Sequence, residues 1–138
     1  MQNNISIGFD HLSIVVKDLK KSEIFYDKLL TYFGFRKVTS EENSYGWSNG
    51  PNAFWINQVQ DSYKDKEFHR KNIGISHIAF RAVSKEAVDR FYKEFLLTNK
   101  VHVLYGGPKE YSRYHQGYYA VYFEDPDRIK LELMWMPK

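Results

Sequence analysis

The chain has 138 residues, of which 43% are hydrophobic and 17% aromatic, enough for one domain with a packed core. Twenty Lys and Arg against 17 Asp and Glu leave a net charge of +3, and no basic run is interleaved with aromatic residues, so nucleic-acid binding is not expected. The lack of cysteine excludes disulfides and Cys-based metal sites, and no apolar run approaches the ~18 residues of a membrane span, which predicts a cytoplasmic protein without a membrane partner.

The first half of the chain predicts the order βαβββ. Residues 7 to 16 alternate between two faces, which is typical of a strand, and Asp18 then stands where a helix N-cap belongs. Apolar residues recur at helical spacing until Gly34, which predicts the end of the helix. Three more strands are predicted over residues 35–39, 45–48 and 53–59.

The second half predicts the same order after a polar linker. We expect a first module over about residues 5–60, the linker over about 60–72 and a second module over about 73–136, all within one domain. Ser84 is placed to cap the second helix. The strands that follow are predicted over residues 101–105, 118–124 and 129–135, with a loop over 106–116 between the first two.

This common order reflects a sequence repeat. The stretch Ile73-Gly74-Ile75-Ser76-His77 matches Ile7-Gly8-Phe9-Asp10-His11, and the same shift places Phe25-Tyr26 on Phe91-Tyr92. Half a domain is too small to bury a full core, so the two modules are expected to close against each other about a pseudo-twofold axis. His11 and His77 would then face each other across that axis.

The closing strand adds a carboxylate to the two histidines. Matching Asn52 with Asp127 makes Glu132 the counterpart of Asn57. The symmetry therefore predicts that four side chains converge near the axis: His11, Asn57, His77 and Glu132. Two imidazoles and one carboxylate suit a divalent metal ion and leave coordination positions free. A carboxylate on a buried strand needs a partner, and a metal is one such partner.

A substrate pocket is expected beside these ligands. Its predicted lining combines aromatic, amide and cationic side chains: Trp55, Asn57, Arg113, Tyr114 and Tyr119. Trp47 and Tyr118 are also aromatic residues that the needs of a core do not explain, and they are further candidates for the pocket lining. His115 lies in a Gly-rich aromatic loop that is placed to cover a cavity, whereas His69 and His102 are not expected to be ligands.

Two stretches resemble one known superfamily. The run Asp10–Leu19, followed by Ser22 and Phe25-Tyr26, is similar to the opening motif of the vicinal oxygen chelate superfamily, and Glu124–Leu133 is similar to its closing motif. That superfamily includes glyoxalase I, bleomycin-resistance proteins, fosfomycin-resistance enzymes and extradiol dioxygenases. The resemblance covers essentially the whole chain and implies an α+β fold of two βαβββ modules forming an incomplete barrel around a metal.

The resemblance also implies a function. The family's metal ligands fall on His11, His77 and Glu132, the ion being Fe, Mn, Zn, Ni or Co, and the expected reaction is metal-dependent chemistry on a small substrate that chelates through two oxygens. Glu132 would also move a proton, with His115 or a tyrosine of the loop over residues 106–116 as alternatives, and members tend to form homodimers. Glyoxalase I carries an acid where this chain has Asn57, whose amide cannot accept a proton, which argues against glyoxalase I chemistry.

Two other functions stay open at this point. One is a metal-free protein that binds or sequesters a small molecule, as bleomycin-resistance proteins do. The other is a metal site that only stabilises the fold. Against the fosfomycin-resistance branch, the sequence offers no clear set of residues for a phosphonate beyond Lys109, Arg113 and Lys130.

Overall fold

The computed structural model describes residue 5 and residues 8–138. The chain divides into two compact units, residues 1–66 and 67–138, and the division falls inside the predicted linker. Each unit has the predicted βαβββ order and forms a four-stranded mixed sheet, which confirms the fold class. In the described part of the chain, no helix is long and apolar enough to cross a membrane.

The first unit contains one helix and four strands. Their bounds are β1 His11–Val16, α1 Leu19–Tyr32, β2 Arg36–Ser40, β3 Ser44–Ser48 and β4 Ala53–Gln58, with a short 3-10 helix at Asp61–Tyr63. The strand order is β1-β4-β3-β2, with β1 parallel to β4. The strand predicted from residue 7 begins only at His11, because residues 8–10 are irregular; residue 7 lies outside the described residues.

The helix α1 begins and ends where the sequence predicts. Asp18 accepts a hydrogen bond from the Lys21 backbone N–H at 3.0 Å, and Gly34 follows the helix with φ +86°. The helix buries Tyr26, Leu29 and Leu30. On β1, alternate positions are exposed and buried, so the side chain of His11 lies on the face away from the buried residues.

The second unit repeats this plan, except that its helix continues as a π-helical segment. Its elements are β5 Ile78–Arg81, α2 Lys85–Phe91, β6 Val103–Glu110, β7 Tyr119–Glu124 and β8 Lys130–Trp135. The helix α2 begins after the Ser84 cap, whose hydroxyl accepts from the Ala87 N–H at 3.1 Å, and continues as a π-helical segment over Tyr92–Leu97. The strand order is β5-β8-β7-β6, with β5 parallel to β8, and His77 immediately precedes β5.

A bulge in β6 corrects the prediction of a loop over residues 106–116. Leu104 pairs with Tyr122 and Lys109 pairs with Ala120, so three more residues are used on β6 than on β7 between these pairs. Tyr105, Gly106 and Gly107 all have positive φ there. The extra residues are accommodated as a bulge because glycines accept that backbone, and β6 therefore continues to Glu110.

The strand registers also change one predicted equivalence. In the first unit Leu12 pairs with Phe54 and Gly46 pairs with Trp55, whereas in the second Ile78 pairs with Leu131 and Tyr122 pairs with Glu132. Since Ile78 is the repeat of Leu12, Trp55 is the counterpart of Glu132. The predicted counterpart, Asn57, is wrong by two residues. It was chosen by matching turn residues, which do not determine strand register.

Candidate functional site

A cavity of about 520 Å³ opens in the second unit. It lies over the face of the sheet that carries Tyr122 and Glu132, and the bulged strand β6 and the loop after it form its rim. Its lining is rich in tyrosine and cationic residues: His77, Tyr105, Lys109, Tyr111, Arg113, Tyr114, Tyr118, Tyr122, Lys130 and Glu132.

His77 and Glu132, two of the three predicted ligands, come together in this cavity. Glu132 is fully buried, and its Oε2 lies 3.1 Å from Nε2 of His77. The two atoms do not have hydrogen-bond geometry, and within the described residues Oε2 has no hydrogen-bond partner. A buried carboxylate oxygen without a partner is costly, so this pair of donor atoms suits a cation that binds both.

The other oxygen of Glu132 is held by a tyrosine. The Tyr118 hydroxyl donates to Oε1 at 2.5 Å, and Tyr122 pairs with Glu132 across the strands. Burial, with the nearby Glu132 carboxylate, raises the pKa of both Tyr118 and Tyr122 above the usual tyrosine range. Both hydroxyls therefore keep their protons at neutral pH, and Tyr118 acts as a donor that orients the carboxylate.

The third predicted ligand, His11, belongs to the first unit. Its ring is about half exposed, and Nδ1 lies 2.7 Å from Oδ2 of Asp10. In the second unit Ser76 takes the position of Asp10, with its Oγ 3.5 Å from Nδ1 of His77. A side chain that holds Nδ1 leaves Nε2 as the ligand atom, an arrangement that metal-binding histidines commonly have.

Only part of the predicted pocket lining lies in the cavity of the second unit. Arg113 and Tyr114 line it. The Tyr119 hydroxyl instead donates to Oδ1 of Asp89 on α2 at 2.6 Å, and burial raises the pKa of Tyr119 to about 12. His115 is exposed, with Nδ1 2.8 Å from the carbonyl oxygen of Gln116, and is not among the lining residues.

Asn57 and Trp55 lie on the sheet of the first unit. The Asn57 amide donates to Oγ of Ser13 at 2.7 Å and to the Ile14 carbonyl at 3.2 Å, and its oxygen accepts from Oγ of Ser44 at 3.0 Å. The amide is thus occupied by its own sheet. The Trp55 ring covers Gly46, where an added Cβ would meet the ring at 2.6 Å, so glycine is required beneath it.

Several lining residues were not predicted as pocket residues. These are Tyr105, Tyr111 and Tyr122, whereas Tyr118 had been named as an aromatic residue beyond the needs of a core, and Lys109 and Lys130 as cations for a phosphonate. For some of them the signal was present, because Tyr118, Ala120 and Tyr122 alternate on one face of a predicted strand. Tyr105 and Lys109 could not be placed in this way, because the bulge that separates them breaks the alternation of β6.

Comparison with known proteins identifies the family. The model of the Glyoxalase/Bleomycin resistance protein/Dioxygenase superfamily matches residues 8–133. The chain belongs to this superfamily. It is 33% identical over 124 residues to YqjT, an uncharacterized protein of Bacillus subtilis, with 90% of this chain and 95% of that protein covered.

Two further comparisons agree with superfamily membership. The chain is 33% identical over 136 residues to the metallothiol transferase FosB of Bacillus licheniformis, covering 96% of this chain and 78% of FosB. Among solved structures, a Bacillus halodurans protein is 32% identical with a TM-score of 0.78, covering 91% of this chain and 92% of that one. The recognition made from the two sequence motifs is therefore confirmed.

The described residues do not form a complete metal site. No three His, Asp or Glu side chains among residues 5 and 8–138 form a group that could hold a metal ion. The second unit supplies the pair His77 and Glu132, and a complete site needs at least one more ligand. His11 as the third ligand stays a prediction.

Proposed function

We propose that the chain is a divalent-metal-dependent enzyme of this superfamily that acts on a small substrate through two of the substrate's oxygen atoms. Fe, Mn, Zn, Ni and Co all accept imidazole and carboxylate ligands, so the metal is proposed by class. The resemblance to a metallothiol transferase supports metal dependence. A cytoplasmic homodimer stays a prediction.

One observation carries this proposal. Oε2 of Glu132 is buried, has no hydrogen-bond partner among the described residues, and lies 3.1 Å from a histidine nitrogen at the wall of a cavity large enough for a small molecule. A purely structural carboxylate is normally fully hydrogen-bonded when buried. An oxygen left free beside an imidazole is the arrangement that a ligand atom needs.

The residues of the chain have distinct roles in this proposal. His77, Glu132 and His11 would hold the ion, which supplies a Lewis acid for the substrate oxygens. Tyr118 holds Oε1 of Glu132 and so aims Oε2 toward His77. Tyrosine side chains form much of the cavity wall, and Glu132, the carboxylate that lines the cavity, would be the group placed for proton transfer.

Metal analysis of the protein purified without a metal-chelating tag is the direct test. We expect about one divalent ion per chain after soaking with Fe, Mn, Zn, Ni or Co, and loss of that ion in His77→Ala, because the variant removes a ligand nitrogen. His102→Ala is the matched control, since His102 lies in the same unit and is exposed, with Nε2 4.0 Å from Glu124.

The outcomes separate a metal-binding protein from a metal-free one. Metal lost from His77→Ala but kept by His102→Ala supports His77 as a ligand. Stoichiometric metal retained by His77→Ala would contradict the ligand assignment. A metal content near zero that soaking does not raise would favour a metal-free binding protein.

Tyr118→Phe tests whether the hydrogen bond to Glu132 positions the ligand. We expect the metal affinity to fall by roughly 10- to 100-fold, because the variant removes the donor to Oε1 while keeping the ring. Competition with a chelator measures the affinity. Tyr119→Phe is the control, as its hydroxyl bonds Asp89 on α2, and it should keep the affinity of the unmodified protein; equal losses in both variants would contradict a specific role of Tyr118.

A further inference from the structure

A four-residue turn joins β3 to β4 in the first unit. It has the sequence Asn49-Gly50-Pro51-Asn52, and all four residues are exposed. Gly50 has φ +101°, in the left-handed region that favours glycine, so residue 50 has no side chain that could shield its backbone nitrogen. An exposed asparagine followed by glycine allows the backbone nitrogen of the glycine to attack the asparagine side chain.

Hydrogen bonds in the turn engage the side-chain oxygen of Asn49 but not its side-chain nitrogen. Oδ1 of Asn49 accepts from the Asn52 backbone N–H at 2.9 Å, which polarises the amide carbonyl and places a donor at the oxygen where negative charge develops during attack. No described residue accepts a hydrogen bond from Nδ2 of Asn49. The nitrogen that would leave is therefore not held by the protein.

The attacking nitrogen has a proton acceptor beside it. The Gly50 N–H donates to Oγ of Ser48 at 3.1 Å, and that hydroxyl donates to the Asn52 carbonyl at 3.1 Å. An amide nitrogen becomes a nucleophile only when it loses its proton, which the Ser48 hydroxyl can pass to solvent. The turn thus places a nucleophile, a polarised carbonyl and an unheld leaving group on two consecutive residues.

We propose that Asn49 is a site of spontaneous modification in the folded chain, converted through a succinimide to isoaspartate and aspartate. The Gly50 nitrogen forms a bond to Cγ of Asn49, the bond from Cγ to Nδ2 breaks, and Nδ2 leaves as ammonia with the proton that Gly50 loses. Water then opens the ring at either carbonyl carbon. Water is the only co-reactant and no metal takes part, so the modification does not depend on the proposed function.

The same turn fixes the segment that leads into β1. The Asn52 side chain donates to the Phe9 carbonyl at 3.0 Å, and the Ala53 N–H donates to the Asp10 carbonyl at 3.0 Å. Isoaspartate adds one carbon to the main chain and displaces these donors, whereas aspartate adds a charge and leaves the backbone unchanged. The isoaspartyl form is therefore expected to loosen the start of β1, the strand that carries the predicted ligand His11.

Incubation of the chelator-treated full chain at mildly alkaline pH, followed by peptide mapping with mass spectrometry, tests the proposal. We expect modification at Asn49 to be about tenfold or more faster than at Asn43, because no side chain hinders attack by Gly50. Asn43 is the matched internal control, since it is also exposed and lies at the other end of β3, but Ser44 follows it. Labelling by an isoaspartyl methyltransferase identifies the isoaspartyl product.

The urea-unfolded chain separates the turn from the sequence alone. We expect Asn49 to be modified in both the folded and the unfolded chain. Modification that occurs only in urea would overturn the proposal, because the folded turn would then protect Asn49, and so would equal rates at Asn49 and Asn43 in the folded chain. His77→Ala, which removes a proposed metal ligand, should modify Asn49 at the unchanged rate, so failure of the metal assignment leaves this proposal standing.

Hydrogen–deuterium exchange tests the consequence for β1. The Ala53 amide should exchange roughly fivefold or more faster in the purified isoaspartyl form than in the unmodified chain, because its hydrogen bond to the Asp10 carbonyl is lost. Asn49→Asp is the control, as it carries the charge on an ordinary backbone and keeps an acceptor for the Asn52 N–H. Equal exchange in the isoaspartyl form and in Asn49→Asp would overturn the assigned effect on β1.

Discussion

Glu132→Gln is expected not to bind the proposed metal and yet to be more stable than the metal-free unmodified protein, by about 1–3 kcal/mol. Glu132 is fully buried, and its Oε2 has no hydrogen-bond partner among the described residues. Glutamine keeps the acceptor for Tyr118, removes the buried charge, and places an amide that can donate toward His77. If replacing Glu132 makes the metal-free protein more stable, the carboxylate is present for binding and not for stability.

Metal analysis of Glu132→Gln and the unmodified protein measures the loss of metal binding. Urea unfolding of the two proteins after chelator treatment then measures the gain in stability. Glu124→Gln provides a control of opposite sign, because Glu124 is also buried but its Oε1 accepts from Arg70 at 2.7 Å. Breaking that pair should destabilise the chain, since it leaves a guanidinium without its partner. A Glu132→Gln protein that is less stable than the metal-free unmodified protein would contradict the argument.

The elements of the fold could be predicted because their signals are local. The cap at Asp18, the stop at Gly34 and the cap at Ser84 each depend on one side chain and its nearest backbone, and all three are present in the structure. The β6 bulge could not be predicted in this way. Its position depends on how Leu104 and Lys109 pair with another strand, which residues 106–110 do not encode by themselves.

The candidate site was predictable to the extent that it follows from the repeat. His77 and Glu132 were named from an internal repeat and a closing motif, and the structure brings them within 3.1 Å. The counterpart of Glu132 was misassigned to Asn57 because a shift of two residues keeps a side chain on the same face of a strand, so alternation cannot detect the error. The strand register in the structure assigns Trp55 instead.

Trp47 shows why an aromatic residue alone is weak evidence for a pocket. The sequence suggested that Trp47 exceeds what a core requires, but its side chain is fully buried in the first unit. Its indole N–H donates to Oδ1 of Asp27 on α1 at 2.9 Å. Because Asp27 lies 20 residues before Trp47, this hydrogen bond is not visible in the local pattern around Trp47.

Trp47→Ala is therefore expected to destabilise the chain by about 3–5 kcal/mol, as truncation of a large buried aromatic leaves a cavity in a packed core. Since small domains have only about 5–15 kcal/mol of stability in total, the variant should lose a large fraction of it. Chemical denaturation of the metal-free chain measures the loss.

Two further variants separate the contributions at Trp47. Trp47→Phe keeps most of the apolar surface and loses the hydrogen bond to Asp27, so it should cost less than the alanine variant, with about 1 kcal/mol of that cost from the bond. Trp55→Ala changes a half-buried tryptophan on the neighbouring strand and should cost less than half as much as Trp47→Ala. Equal destabilisation by Trp47→Ala and Trp55→Ala would show that burial does not distinguish the two residues. It would contradict the assignment of Trp47 to the core.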